Sequence, residues 1–583
     1  MQNSRKMWIT LGLISVFFHI FLIFSGLIPN LISRPIHMAL IIPWIFLYKK
    51  QPFFENILSY IFVFLGLFSC FWISYNSNHL MDQYGFLENN FQVMIALTLL
   101  LIVLEMARRS VGWPLPLVSL IALAYGFYGD LVPGELGHPG VPINSFLGTL
   151  TIAEGGIWGS LTGVSVSIVS IFVIFGSFLN SGEAGSGFMN IATAFAGRLK
   201  GGAAKVSVLS SALFGSISGS ASANVASTGM VTLPAMIKLG YPKRLAASVE
   251  AVASSGGQIM PPLMGAGAFV MVELTGIPYN QIIVAALLPA LLFFFTVWVG
   301  IDFYSKELNL KPINKESLPK KSIVLITSIF FIIPFTVLLL FMYLGFTPQY
   351  SASIAILAAL VLLFFNMNNG FDFQLGINRI SKACISAGNQ ISLIGSIILC
   401  ASIIIGVLSI TGLGIKLTSL IVSVSDNNIW LALILTGVAC LILGMEVPTT
   451  AAYVICVSVA GPALVDMGLG LLQVHLFVFW FALLSTITPP VCGTVFIAAG
   501  MVSENWIKVS LTSMSLGIGL YFIPLAMIAN KSLIELNTTS FLAIIAFIKV
   551  ALGLVMLSFS IISKKSLFLR LLSLILCFFI IFI

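Results

Sequence analysis

Apolar runs of about 20 residues recur from one end of the chain to the other, the length of a helix that crosses a ~30 Å bilayer core. This feature restricts the fold more than any other. Of the 583 residues, 59% are hydrophobic and only 8% are charged, which is too few charges to cover a water-soluble domain. The runs are continuous rather than alternating, which argues against a β-barrel. We therefore expect an all-α polytopic membrane protein.

Pairs of basic residues divide the N-terminal part at regular intervals. The pairs are Arg5 and Lys6, Lys49 and Lys50, and Arg108 and Arg109. Two apolar runs separate each pair from the next, so the positive-inside rule predicts a four-helix unit with both ends in the cytoplasm. We expect its helices near residues 7–28, 36–48, 57–75 and 90–107, with the first run retained rather than cleaved as a signal peptide. On this basis the net charge of +8 reflects topology and not nucleic-acid binding.

The later chain divides at changes in composition. The stretch SKELNLKPINKESLPKK, residues 305–321, is the longest polar segment and carries five lysines. We predict the following parts: a four-helix scaffold at 1–110, a first core half at 111–304, a cytoplasmic connector at 305–322, a second core half at 323–530 and extra hydrophobic segments at 531–583. The seven cysteines are isolated and have no metal-ligand or CxxC spacing.

Two double prolines interrupt apolar runs, in GGQIMPPLMGAGAF and LSTITPPVCGTVFI. The first prolines of the two pairs, Pro261 and Pro489, are separated by 489 − 261 = 228 residues. The same offset, without a gap, aligns Pro234 with Pro462, Ala235 with Ala463, Gly240 with Gly468, Ile259 with Ile487, and Gly265 with Gly493. Proline and glycine mark where helices break or approach closely, so these matches predict an internal structural repeat.

The charges beside the two copies differ. KLGYPKR (238–244) carries three basic residues, whereas the aligned DMGLGLL (466–472) carries one acid and no base. The positive-inside rule then places the copies in opposite orientations, which is the inverted-repeat plan of secondary transporters. Broken helices free backbone carbonyls, and these are tolerated at membrane depth where they line a cavity and coordinate a cation.

Small, hydroxyl-rich stretches precede both breaks, in FGSISGSASANVASTG (214–229) and LGMEVPTTAAY (443–453). Each suits the tip of a re-entrant helical hairpin, and hydroxyl and carbonyl oxygens suit Na⁺. Close helix packing through small residues is the other interpretation of these stretches. Gln258 and Thr486 occupy aligned positions before the prolines, and they either bind a ligand or satisfy the broken backbone.

Three carboxylates lie within or beside apolar runs: Glu154, Glu250 and Glu446. An ionisable group at membrane depth is a functional candidate. Glu250 follows Lys243 and Arg244 closely, so an interfacial ion pair is an alternative for it. The five histidines are scattered, and the pattern assigns no role to any of them.

With these motifs the chain resembles the membrane component of a TRAP (tripartite ATP-independent periplasmic) transporter. The resemblance rests on GSISGSASANVASTG, GGQIMPPLMGAGAFVM, MEVPTTAAYV and ITPPVCGTVFIAAG, which are similar to the hairpin and broken-helix motifs of the large subunit. The first four helices resemble the small subunit fused to it, as in permeases that work with TAXI-type binding proteins. The two apolar segments after residue 530 depart from the basic family plan.

The resemblance implies a multi-pass protein of the bacterial cytoplasmic membrane, with a cytoplasmic N-terminus, that works by an elevator-type movement. It implies uptake of an organic anion delivered by a soluble periplasmic protein, with Na⁺ as coupling ion and no organic cofactor. The ion- and substrate-binding positions carried over from the family are Ser218, Gly219, Ser220, Asn224, Gln258, Pro261, Pro448, Thr449, Thr450, Thr486, Thr488 and Pro489.

Other classes of function find less support. The chain has no GxxxxGK[ST] loop for ATP, no HExxH or GxSxG motif of an enzyme, and no TVGYG-like channel filter. A Na⁺- or H⁺-coupled symporter that works without a binding protein is the serious alternative. The N-terminal four-helix unit argues against it, because a lone carrier has no evident need for such an appendage.

Overall fold

The computed structural model describes residues 2–48, 53–262, 264–366, 370–444, 449–490 and 492–583. Helices make up most of it. Those before residue 308 are α1 (Gln2–Phe24), α2 (Asn30–Leu47), α3 (Phe53–Tyr75), α4 (Ser77–Asp82), α5 (Asn90–Val111), α6 (Pro114–Tyr128), α7 (Ile143–Thr151), α8 (Ser160–Val164), α9 (Ser170–Ser181), α10 (Ala184–Ala196), α11 (Gly202–Ser218), α12 (Ala221–Lys238), α13 (Lys243–Gly256), α14 (Gly265–Thr275) and α15 (Tyr279–Glu307).

The remaining helices are α16 (Lys321–Tyr343), α17 (Pro348–Leu362), α18 (Phe373–Thr411), α19 (Leu413–Val424), α20 (Ile429–Leu443), α21 (Thr449–Asp466), α22 (Leu471–Leu484), α23 (Gly493–Val502), α24 (Trp506–Leu516), α25 (Gly519–Ala529), α26 (Ser540–Ile562) and α27 (Leu567–Phe582). Two short antiparallel strands, β1 (Phe365–Asn366) and β2 (Gly370–Phe371), precede α18.

Among the described residues, 12 helical segments are long and apolar enough to cross a membrane. This confirms the prediction of an all-α polytopic membrane protein. The helix bounds differ in detail from the predicted ones. For example, α2 begins at Asn30 rather than near residue 36, and it therefore contains Pro35. A proline removes one backbone donor, but the rest of the helix keeps its backbone groups paired, as an apolar environment requires.

The first compact unit comprises Met1–Gly182, Ile333–Leu433 and Val454–Met467. Its centre is α18, whose 39 residues span about 58 Å at 1.5 Å per residue. The helices α1, α2, α5, α6 and α9 pack against α18, so the N-terminal helices share one unit with later segments.

Buried polar contacts join α2 to the segment that follows α7. Arg34 is almost completely buried, and its guanidinium donates to the carbonyl of Trp158 and lies 3.5 Å from the Glu154 carboxylate. His37 connects His19 (2.8 Å) to the hydroxyl of Ser165 (3.0 Å). A one-turn π-helix, Ser165–Val169, joins α8 to α9 at this point.

The second compact unit comprises Glu183–Ile332, Ile434–Tyr453 and Gly468–Ile583. It contains the hairpin formed by α11 and α12, and both double-proline breaks, the first between α13 and α14 and the second between α22 and α23. At its C-terminal end α26 packs against α15 and α27.

Helix bounds in the two aligned stretches coincide at the 228-residue offset. Both ends of α12 and α21 differ by 228 residues (449 − 221 and 466 − 238), as do both ends of α13 and α22 (471 − 243 and 484 − 256). The peptide bond that joins the two prolines is cis in both breaks. Gly240 and Gly468, which follow α12 and α21, both have left-handed backbones, with φ of +87° and +97°.

Candidate functional site

The tip of the first hairpin consists of Gly219 and Ser220. Gly219 has a φ of +62°, which favours glycine, and a Cβ at this position would lie 3.0 Å from the Cα of Gly265. The hydroxyl of Ser220 accepts the backbone N–H of Ala223 (3.3 Å) and thereby caps the start of α12. The tip is therefore a tight turn that rests on the start of α14.

The first broken helix ends at Gly256 and continues through a single 3₁₀ turn, Gly257–Ile259, to the two prolines. The hydroxyl of Tyr279 donates to the carbonyl of Pro262. At the second break, Thr494 donates to the carbonyl of Thr486 (2.7 Å) and Ser510 donates to that of Ile487 (2.8 Å). Side-chain hydroxyls therefore donate to backbone carbonyls at both breaks, and the carbonyl of Thr486 lies four residues before Pro490, which has no N–H to offer it.

Gln258 joins the first hairpin tip to the start of α21. Its side-chain amide donates to the carbonyl of Gly219 (2.9 Å), and its amide oxygen accepts the hydroxyl of Thr449 (2.8 Å). Gln258 and Thr449 are each about 7% exposed, so the bond between them is buried, and the bond to Gly219 is partly buried. Three residues predicted from separate sequence motifs thus meet in one chain of hydrogen bonds.

Asn224 lies below the first tip and is fully buried. Its amide donates to the carbonyl of Ser211 (2.9 Å), so it holds α12 against α11. Thr486 donates to the hydroxyl of Ser255 (2.8 Å) and thus links the second break to α13. The hydroxyl of Thr488 lies 2.6 Å from that of Tyr521, outside the Gln258 chain.

The remaining predicted site residues are described in less detail. Thr450, Pro261 and Pro489 are part-exposed at the start of α21 and at the two breaks. Ser218 is the last residue of α11, and its side chain is not among those described. Pro448 lies outside the described residues, as does Glu446.

Glu250 was predicted as a functional candidate, with an interfacial ion pair as the alternative interpretation. It is fully buried, and it hydrogen-bonds to hydroxyl groups rather than forming an ion pair with Lys243 or Arg244. The partners are Ser207, Ser211, Thr228, Thr232 and Ser254. The sequence does contain a pattern that could have indicated these contacts. On each of α11, α12 and α13, polar residues are spaced four apart, and residues with this spacing lie on one face of a helix.

The chain was compared with known protein families. The family model described as "Tripartite ATP-independent periplasmic transporter, DctM component" matches residues 98–542, well over half of the chain. The chain belongs to the DctM family of TRAP transporter components. The match begins inside α5, so α1 to α4 precede it.

Several curated relatives of this TRAP component are named as permeases. The C4-dicarboxylate TRAP transporter large permease protein DctM of Pseudomonas aeruginosa is 22% identical over 57% of this chain and 76% of its own. The isethionate TRAP transporter permease protein DctMQ of Oleidesulfovibrio alaskensis is 23% identical over 59% of this chain and 54% of its own. The ectoine TRAP transporter large permease protein TeaC of Halomonas elongata is 24% identical over 34% of this chain and 42% of its own. These relatives are consistent with a transporter and not an enzyme.

Proposed function

We propose that this TRAP permease couples the entry of Na⁺ to the uptake of a small organic anion, which a TAXI-type periplasmic binding protein delivers. Its place is the bacterial cytoplasmic membrane, with the N-terminus in the cytoplasm. Two relatives are named for anions, a C4-dicarboxylate and isethionate, which supports an anionic substrate, most simply a carboxylate.

The observation that carries the proposal is the hydrogen-bonded chain from Gly219 through Gln258 to Thr449. It brings the carbonyl of a hairpin tip, a side-chain amide and a hydroxyl together at the first break. These are neutral oxygen and nitrogen groups, and oxygen atoms of this kind bind alkali cations at broken membrane helices. Na⁺ entering here would order the tip, and ordering the tip would complete the substrate site.

Inverted topology of the two aligned stretches is part of the same proposal. The coincident bounds of α12 with α21 and of α13 with α22 support a repeat, and the contrast in charge between residues 238–244 and 466–472 supports opposite orientations. The helix N-termini beside the breaks would offer partial positive charge to the anion.

The compact units suggest roles in an elevator-type cycle. The second unit holds every described residue of the predicted site, so we assign to it the moving transport part. The first unit holds α1 to α5, which we take as the fused small-subunit-like part of a static scaffold. The buried contacts of Arg34 and His37 support this role, because they fix α2 to later helices of the same unit.

Reconstitution of the purified chain in proteoliposomes tests the function. Candidate substrates are the ligands of the cognate binding protein, and uptake is measured with and without that protein and an inward Na⁺ gradient. We expect uptake only when both are supplied. Uptake that needs Na⁺ but no binding protein would instead show a stand-alone symporter, and uptake driven equally well by K⁺ or a proton gradient would remove the role of Na⁺.

A further inference from the structure

The carboxyl group of Glu250 is buried at the base of the first hairpin, where α11, α12 and α13 meet. Its exposure is 0%, and none of the ion pairs formed by the described residues includes it. Its Oε2 lies 2.7 Å from the Ser207 hydroxyl and 2.5 Å from that of Thr232. Its Oε1 accepts from Thr228, and Ser254 and Ser211 lie 3.3 and 3.4 Å away.

Charged groups on the surrounding helices are either paired with another residue or exposed. Lys205 of α11 pairs with Asp302 of α15 at 2.6 Å. Lys238 follows Thr232 by six residues and Arg244 precedes Glu250 by six, each about 9 Å along a helix axis. The other charged groups on the helices packed against α13 are Lys243 on α13 itself, Lys508 on α24, and Lys306 and Glu307 on α15, whereas α23 carries none.

An ionised carboxylate without a basic partner is costly when it is fully buried. A bound proton removes that cost. The hydroxyl oxygens of Ser207 and Thr232 are in direct O–H···O contact with the carboxyl group. The geometry therefore fits a bound proton.

Two threonines let the network accept either protonation state. The Thr232 hydroxyl lies 3.0 Å from the carbonyl of Thr228 as well as beside Glu250, and the Thr228 hydroxyl lies 2.8 Å from the carbonyl of Asn224. When the carboxylate is ionised, both hydroxyls donate to it. When it is protonated, it donates to one hydroxyl, which turns its own hydrogen to the carbonyl one turn back.

We infer that Glu250 is a proton-binding site that links its own protonation to the position of the first hairpin. It is protonated in the conformation described here. Movement of α11 and α12 away from α13 removes the hydroxyls and admits water, and the carboxyl O–H bond then breaks with transfer of the proton to water. This inference extends the proposed transport function. Any role of the Glu250 proton in coupling rests on that proposed function.

Infrared difference spectroscopy of the full-length protein in detergent tests the protonation state. At neutral pH we expect the wild type to show the C=O stretch of a protonated carboxyl group, shifted in D₂O, and Glu250→Gln to lose it. The matched control Glu273→Gln removes an exposed carboxyl group and should keep the band. Absence of the band in the wild type, or its survival in Glu250→Gln, overturns the inference.

A second variant keeps the carboxyl group and guards against misfolding of Glu250→Gln. Thr232→Val removes one hydrogen-bond partner at nearly constant volume, so the C=O band should move to higher frequency. An unchanged band would show that the carboxyl group of Glu250 is not hydrogen-bonded to the Thr232 hydroxyl, and it would overturn the inferred site.

Hydrogen–deuterium exchange tests the link to the hairpin without a substrate. After correction for base-catalysed exchange, protection of the backbone at residues 211–228 should fall as pH rises in the wild type and stay constant in Glu250→Gln. Equal pH responses in the two proteins overturn the link. Because neither measurement involves transport, a chain that passes both but fails Na⁺-driven uptake would refute the proposed function and leave the proton site standing.

Discussion

Replacement of Gln258 by leucine is the perturbation that tests the candidate site most sharply. The change removes two hydrogen bonds, one to the carbonyl of Gly219 (2.9 Å) and one from the hydroxyl of Thr449 (2.8 Å). Each contributes about 1 kcal/mol net, so the loss is about 2 kcal/mol. If Na⁺ binding depends on the ordered tip, its apparent affinity should fall about 30-fold, because 1.4 kcal/mol corresponds to a factor of ten.

The assay is the Na⁺ dependence of thermal unfolding of the purified full-length chain, with K⁺ replacing Na⁺ at constant ionic strength. Gln473→Leu is a matched control, since Gln473 is equally buried and its amide donates to the carbonyl of Met527 (2.9 Å). The control should lower the Tm without changing the Na⁺ midpoint. A double-mutant cycle with Thr449→Val should give a coupling energy of about 1 kcal/mol.

Two results would refute this reasoning. A folded Gln258→Leu protein with the wild-type Na⁺ midpoint would show that the bridge plays no part in Na⁺ binding. Additive effects of Gln258→Leu and Thr449→Val would show that the two side chains do not act on the ion through their mutual hydrogen bond.

Other substitutions test the packing within each unit. Gly219→Ala should lower the Tm by more than Gly276→Ala. Both glycines have positive φ, which destabilises an alanine there by about 1–2 kcal/mol, but only a Cβ at 219 would meet a neighbour, Gly265. Equal losses would show that the approach to Gly265 is unimportant. Arg34→Met should cost about 1–3 kcal/mol because the carbonyl of Trp158 loses its buried donor, and an unchanged Tm would contradict that contact.

The positions of the backbone breaks could be predicted from the sequence because proline and glycine act on the local backbone. The double prolines at 261 and 489 indicated where α13 and α22 end, and the structure interrupts both helices at those points. Glycine at 219 within a small-residue stretch indicated a hairpin tip, and its left-handed backbone requires that residue. Only two residues separate α11 from α12 at this tip.

Contacts between distant side chains could not be predicted in this way. Gln258 and Thr449 are 191 residues apart in the chain, and no local pattern indicates that their side chains meet. For Glu250, proximity in sequence to Lys243 and Arg244 suggested an ion pair. On a helix, however, residues six or seven apart are separated by about 9–10.5 Å along the axis, whereas hydroxyls on neighbouring helices come within hydrogen-bonding distance.

The central claim is that this permease moves Na⁺ and an organic anion together through the hairpin and broken-helix site. Simultaneous measurement of radioactive Na⁺ and labelled substrate entering proteoliposomes, with the binding protein present, tests it most directly. We predict that both enter at a fixed ratio and that a Thr449→Ala/Thr450→Ala double variant loses both together. Substrate entry without accompanying Na⁺, or full coupled entry in the double variant, would contradict the account.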